Sequence, residues 1–372
     1  MIAEFPKIAL ILTGGGARAA YQVGVLSALR ELLPKPQRNP FPILCGSSAG
    51  SINAAMIAVW SEAFDTAIEN LLFFWRNCHA SDVYRTHSPG WFASLKPCCL
   101  NKRRSLLDNA PLKALLSRSI DFGRLDSAIA NAALHSLSIT CSGYDSGQSV
   151  SFFQGRTDLE PWQHPQSCGA HVKLTVDHLM ASVAIPFVFP AVKINREYFG
   201  DGAMRQTSPV SPAIQFGADK VLAIGDGYIC GEAYRGNGGS YPSSARIAGQ
   251  VLSSVYLDNL SQDLDRAKRI NALLPMIPEE LWREKNVCYR QIEIMAITPS
   301  ERLDQLAEQH ASCLPGAVRK MLCGTGATDA GGGALVSYLL FEPSYTQALI
   351  DLGYRDAMVR RDELTTFFEV FY

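Results

Sequence analysis

The pentapeptide Gly46-Ser47-Ser48-Ala49-Gly50 fits the pattern G-x-S-x-G and stands between an apolar run, Ile43 to Cys45, and a helical pattern. In a sharp strand-to-helix turn, glycines two residues either side of a serine relieve clashes and leave its hydroxyl exposed at the edge of the sheet. The N-terminus of the new helix adds positive potential, which favours an alkoxide-like oxygen. On this reading Ser48 is a nucleophile and Gly46 and Gly50 shape its elbow. The competing reading is a helix cap, in which Ser47 or Ser48 holds a free backbone N–H.

A nucleophile needs an anion site and a base. Thr13-Gly14-Gly15-Gly16-Ala17-Arg18 ends another apolar run. It lacks the G-K-[ST] ending of a phosphate loop, and Ala19 occupies the place where a G-x-G-x-x-G begun at Gly14 needs its last glycine. What remains is a run of bare glycines whose N–H groups can face one point, a nest suited to the oxyanion of an acyl-transfer reaction. As a plain turn it would be wasteful, because each glycine costs backbone entropy. Arg18 can add charge there or brace the loop. Seven histidines are present, none in the C-terminal loop context of an α/β-hydrolase triad; His178 is the nearest candidate base. Asp201, in Tyr-Phe-Gly-Asp-Gly-Ala, is the better one, since it follows a short strand and Gly202 lets the chain turn tightly beneath the carboxylate. An Asp–Gly pair is also an ordinary turn signal.

The elements that must carry these residues follow from periodicity. Ile8 to Leu12 is an unbroken apolar run suited to a central strand, and Val23, Leu26, Leu29 and Leu32 recur at helical spacing after it. The prolines after Leu33 stop that helix. Two strand–turn–helix units in the first 60 residues predict an α/β sheet with crossover helices. Farther on, the pattern predicts mostly helix and loop over 61–130 and a hairpin around Asp145–Gly147. It also predicts a short strand pair turning at Asn195–Arg196, a helix with Pro212 at its start and a strand over Lys220–Ile224. A helix over Ala245–Asn271, a strand in Ile292–Pro299 and closing helices complete the chain, with 324–334 its one flexible-looking stretch.

Composition narrows the function classes. The chain has 372 residues and a net charge of -1, with 34 basic against 35 acidic residues, which argues against nucleic acid as a partner. No secretory signal is legible at the start, and the longest apolar stretch, from Leu179, is broken by two prolines and too short to span a bilayer. Ten cysteines without a secretory context read as reduced, mostly buried side chains of a cytoplasmic protein, and Cys98–Cys99 has no further ligand at metal-site spacing. Aromatic residues in Leu71–Asn77, and Trp91, Phe92 and Leu95 beside the basic run Lys102–Arg104, suit contact with a membrane surface. The alternative is that they pack in the core.

These motifs carry a resemblance. GGGARAAYQVGVLSAL, GSSAGSINAA, the stretch from Ala181 to Ile224 with its DGA, and the later YLLFEPSYTQALIDLGYRDA look like the patatin-like phospholipase family. The likeness runs from about residue 7 to 226, with a weaker echo to about 357, and its three motifs stand in the family's order. It implies a three-layer α/β/α fold with a central, mostly parallel sheet and a helical C-terminal extension, with a catalytic core over 7–226 and a helical and strand-containing C-terminal part over 227–372 packed on it as the same structural unit. It also implies lipid acyl hydrolysis by a Ser48–Asp201 dyad without histidine. Gly14, Gly15, Gly16 and Arg18 would lie around the oxyanion, with no metal or cofactor. Ala203 stands where many members have a second glycine, a change that leaves the dyad intact. A soluble esterase or thioesterase, and a catalytically silent lipid-binding regulatory module, are the competing readings.

Overall fold

The computed structural model describes residues 6–34, 38–86, 105–227, 244–277, 290–323 and 333–369. Ten strands form one sheet. They are β1 (Ile8–Leu12), β2 (Ile43–Ser47), β3 (Ser136–Gly143), β4 (Ser149–Gly155), β5 (Trp162–Gln163), β6 (Ser167–His171), β7 (Val192–Ile194), β8 (Glu197–Gly200), β9 (Lys220–Ile224) and β10 (Glu293–Ile297). The order is β10-β9-β1-β2-β3-β4-β6-β5, with β8 pairing β3 and β7 pairing β8. The five strands from β10 to β3 are parallel neighbours, whereas β3 and β4 form the antiparallel hairpin expected around Asp145–Gly147.

Strand β1 shows why the sheet is a middle layer. Its five residues are all buried, but Ile8, Leu10 and Leu12 belong to one apolar cluster and Ala9 and Ile11 to another. The two-residue side-chain period puts these sets on opposite faces, and both faces are covered. One is covered by helices α1 (Ala20–Leu32), α2 (Ala49–Ala58) and α3 (Phe64–Arg76). The other receives a short helix, Ser211–Gln215, and Leu260 and Leu264 of the long helix α4 (Ser244–Leu273). The result is the expected α/β/α three-layer architecture with helices in the C-terminal part.

Three of those helices matter for the site: α5 (Leu303–His310), α6 (Gly333–Leu339) and α7 (Pro343–Val359). Helix α7 lies along α1 at unusually close range. A Cβ on Gly24 would fall on the carbonyl of Ile350, and one on Gly353 on the carbonyl of Tyr21, so two glycines let the backbones touch. Around that contact Val25, Leu26, Leu349 and Leu352 are buried in the same cluster as β1.

Helix α3 buries Phe64, Ile68, Leu71, Phe74 and Trp75 at helical spacing, so most of the Leu71–Asn77 aromatic run is core; Phe73 alone of its large apolar residues stands out, 71% exposed. The second membrane-contact segment, with Trp91, Phe92, Leu95 and Lys102–Arg104, lies outside the described residues, as do Cys98, Cys99 and most of 324–334. Among the described residues no helix is long and apolar enough to cross a membrane.

Candidate active site

The carboxyl ends of the central strands point the same way, and chemistry-bearing residues gather there. Leu12 of β1 pairs with Gly46 of β2 and with Ile224 of β9, so the glycine loop, the serine elbow and Asp226 emerge side by side. In open parallel sheets this edge, where connections depart in opposite directions, is where ligands bind.

Ser48 sits between β2 and α2 with φ 49° and ψ −132°, in the left-handed half of the backbone map that a residue with a side chain adopts only under strain. The local sequence permits that turn. A Cβ on Gly46 would collide with the backbone of Ser51, and one on Gly50 with the carbonyls of Leu12 and Thr13. The chain is locked further by Ser51, whose N–H and hydroxyl both donate to the carbonyl of Ser48, at 2.9 and 2.5 Å. The N–H of Ser48 donates to Ser182 Oγ at 2.9 Å, and Ser182 in turn donates to the carbonyl of Thr140 at 2.6 Å.

The Ser48 hydroxyl donates to Asp201 Oδ2 at 2.6 Å. Asp201 follows β8 directly and is fully buried; its other oxygen, Oδ1, accepts the N–H of Ala203 at 3.0 Å. Its backbone is held from both sides, its N–H donating to Ala184 and its carbonyl accepting the Ser142 hydroxyl at 2.8 Å. A Cβ on Gly202 would strike the carbonyl of Thr140, so the turn after Asp201 lies flat against β3 only with glycine there. Together these contacts fix the carboxylate on the serine across 153 positions of sequence.

His178 is not part of this arrangement. Its Nδ1 faces the N–H and hydroxyl of Thr175, at 3.1 and 3.0 Å, and its ring packs edge-on against Phe152. Burial holds its pKa below the ordinary value, so the ring is neutral.

The glycine loop lies beside the serine. Gly16, at φ 57°, lines the same small cavity as Ser48, and a Cβ there would meet the backbone of Tyr338. The N–H groups of Gly14, Gly15 and Gly16 donate to no protein group among the described residues. The loop is held from beneath by a buried amide chain: Gln22 Nε2 donates to the carbonyl of Thr13 at 2.8 Å, Asn53 Nδ2 donates to Gln22 Oε1 at 2.9 Å, and Trp75 Nε1 donates to Asn53 Oδ1 at 2.8 Å.

Arg18, 3% exposed, turns away from the cavity toward α6. Its Nε donates to Ser337 Oγ at 2.7 Å, its Nη1 to the Tyr338 hydroxyl at 3.3 Å, and its guanidinium carbon sits 4.2 Å over the Tyr338 ring. Of the two roles open to it, these contacts describe the brace.

Behind the loop lies a carboxylate that sequence reasoning missed. Asp226 follows β9, is 1% exposed and accepts the Thr13 hydroxyl at 3.4 Å through Oδ1, while Oδ2 has no hydrogen-bond partner among the described residues. That oxygen sits against Gly15, where a Cβ would overlap it. Burial pushes the Asp226 pKa up to about 6, with Arg18 pulling the other way. Ser182 and Ser142 were missed as well, because a lone serine on a helix or strand carries no motif.

The cavity at Ser48 is apolar and nearly closed. It is lined by Ile52, Phe74, Trp75, Ile185, Phe189 and Phe341 among others, and holds about 20 Å³, enough for one water-sized body. No group of three or more His, Cys, Asp or Glu side chains is placed to share a cation among the described residues.

The model of the family described as patatin-like phospholipase matches residues 10–214, more than half of the chain and inclusive of the glycine loop, the elbow and Asp201. A curated relative, the cGAMP-activated phospholipase of Pseudomonas aeruginosa (strain BWHPSA011 / Pa011), is 25% identical over 208 residues, covering 54% of this chain and 53% of that protein. The chain therefore matches about half the length of this relative. Among solved structures, VipD from Legionella pneumophila aligns over 94% of this chain and 67% of its own, with a TM-score of 0.33 and 14% identity. With strands, elbow and glycine loop in place and the family model spanning all three motifs, the chain belongs to the patatin-like phospholipase family.

Proposed function

We propose that this protein is a serine acyl hydrolase that cleaves carboxylic ester bonds of phospholipids or related acyl lipids, with Ser48 as nucleophile and Asp201 as base. The observation that carries this reading is the 2.6 Å hydrogen bond from the Ser48 hydroxyl to Asp201, made at the wall of an apolar cavity. Attack by Ser48 Oγ on the ester carbonyl passes its proton to Asp201 Oδ2. The unused N–H groups of Gly14, Gly15 and Gly16 receive the oxyanion, and Arg18 positions their loop without touching the substrate. Collapse breaks the bond to the alcohol, which leaves with the proton from Asp201. Water then attacks the acyl-enzyme, gives a proton to Asp201, and releases the fatty acid as that proton returns to Ser48.

The apolar cavity favours an acyl chain over a small polar ester, and its 20 Å³ volume means that Phe74, Ile185 and Phe189 must part to admit one. We read residues 7–226 and 227–372 as one working unit, because Arg18 of the first part is braced by Ser337 and Tyr338 of the second. The free, buried thiols of Cys45, Cys78 and Cys141 suit a reducing, cytoplasmic setting. Contact with lipid would be peripheral and centred on Phe187, which is 85% exposed between the cavity-lining residues Ile185 and Phe189.

A fluorophosphonate probe tests the assignment. It should label Ser48 in the wild type and leave Ser48→Ala unlabelled, and fatty acid should be released from a phospholipid panel by the former alone. Labelling without release from any lipid would favour the small-ester reading; a folded wild type that is not labelled would favour the silent module.

A further inference from the structure

Two cavities larger than the one at Ser48 open elsewhere, and their chemistry differs. The larger, about 690 Å³, is lined by Asp126, Gln154, Arg156, His171 and Lys173 among others. Its charged groups are already paired: Arg156 with Asp158 and Lys173 with Asp126, to which Gln154 also donates.

The second, about 370 Å³, lies where β4 and β6 meet the segment after Asp201. Among the described residues its lining contains no Asp or Glu. It presents Arg205, Gln206, Ser149, Ser167, Ser211 and Trp162 among others. Ser149 is 5% exposed, and its hydroxyl makes no hydrogen bond among the described residues although the residue lines the cavity. That hydroxyl can therefore donate to or accept from a polar group bound in the cavity. The Arg205 side chain makes no ion pair or hydrogen bond among the described residues; its guanidinium lies over Gly147, with Nη1, Nη2 and Cζ all 3.8–3.9 Å from where a Cβ would be. Gln206 Nε2 is anchored on Thr140 Oγ1 at 3.3 Å, which leaves its carbonyl oxygen available. Trp162 stacks on Phe153, centroids 5.3 Å apart, and contributes an aromatic surface to the wall.

We propose that this cavity is a binding site for a small polyol carrying a phosphate group, separate from the Ser48 centre. The phosphate takes the free fork of Arg205, which matches its geometry better than an ammonium would. The hydroxyls of Ser149, Ser167 and Ser211 donate to phosphate oxygens or accept from the polyol, Gln206 Oε1 accepts a further hydroxyl, and Trp162 covers the C–H face. No described lining residue is a carboxylate that would repel the anion. A cavity of this size falls in the range of small-ligand sites. The phosphate can belong to a free ester or to a lipid headgroup.

Titration calorimetry with sn-glycerol 3-phosphate tests the site, with flotation on phosphatidic acid and phosphatidylcholine vesicles as a second arm. Wild type and Ser48→Ala should bind glycerol 3-phosphate alike, which separates this site from the hydrolase chemistry. Arg205→Gln should weaken binding about tenfold or more, Arg205→Lys less, and Ser149→Ala several-fold. Thermal melts confirm that each variant is folded. If glycerol 3-phosphate binding depends on Arg205 and flotation does not, the ligand is a free ester. If flotation on phosphatidic acid also falls in Arg205→Gln and glycerol 3-phosphate competes with it, the headgroup is the source. Absence of saturable glycerol 3-phosphate binding together with flotation independent of Arg205 overturns the proposal, as does Arg205→Gln binding as tightly as wild type.

Discussion

At the residue scale, the Ser48–Asp201 bond predicts a division between variants that change chemistry and variants that change shape. Ser48→Ala removes one buried hydroxyl and should abolish ester hydrolysis with the melting temperature nearly unchanged. Asp201→Asn keeps the shape but loses the proton acceptor, so acylation should slow by roughly a hundredfold or more. His178→Ala should remain active, because its ring is engaged with Thr175 and Phe152. A crippled H178A beside a normal D201N, measured by stopped-flow acylation, would replace the dyad with a triad. Asp226 gives a prediction of another kind. Its pKa is raised from 3.8 to about 6 by burial, so the folded state holds its proton more tightly than the unfolded chain does. The stabilising contribution is complete below the unfolded value and is lost as pH rises through about 6. A shift of about two units at about 1.4 kcal/mol each sets its size near 3 kcal/mol. The stability difference between wild type and Asp226→Asn, from urea titrations between pH 7 and pH 4, should therefore move in favour of wild type on acidification. A difference that stays flat would mean that folding leaves the Asp226 pKa unchanged.

At the element scale, the parts of the site legible in the sequence were those carried by backbone punctuation. Gly46 and Gly50 around Ser48, the glycines before Arg18 and the Asp201–Gly202 turn mark places where the chain must bend sharply, and such bends restrict residue type. The β1 and β9 strands were legible from their apolar runs, β9 with the same limits, Lys220–Ile224. The helix after the glycine loop opens as a 3-10 turn, Gly16–Ala19, before α1 begins at Ala20. What was not legible depends on pairs distant in sequence. Gly24 and Gly353 look like helix-weakening residues until α1 and α7 are seen back to back, and Ser182 and Ser142 acquire roles only when α-helical and β-strand neighbours fold onto the elbow. The glycine loop itself can be tested. Gly16→Ala places a Cβ at φ 57° and against Tyr338, so it should lower kcat on a soluble ester far more than it raises KM. A change in KM alone would indicate a blocked entrance instead.

At the scale of the whole molecule, the active-site mouth and the surface around it can be treated together. Phe187 is exposed at φ 64°, a strained conformation for an aromatic residue, and its carbonyl is pinned by the N–H of Leu106, itself 38% exposed. An exposed ring held in place beside an apolar cavity fits insertion among lipid headgroups. Phe187→Ser in the Ser48→Ala background should reduce flotation on vesicles, and with Ser48 present it should spare hydrolysis of a short-chain soluble ester. Equal flotation with and without the ring would remove Phe187 from the lipid-facing surface.

The brace on Arg18 has a consequence in time. Its partner Ser337 lies 319 positions later in the chain, so a ribosome that has already made the serine elbow must work for tens of seconds before it supplies that partner, at about 5–20 residues per second. Throughout that interval the nascent chain carries Ser48 next to a glycine loop that lacks its Arg18 brace. On the proposed function, hydrolysis by a chain still tethered and half made would be harmful, and an order of synthesis that delivers the brace late would delay activity until the molecule is nearly whole. Ribosome-bound chains stalled before residue 333 should therefore resist a fluorophosphonate probe that labels chains stalled well beyond residue 359, once both are long enough to clear the exit tunnel.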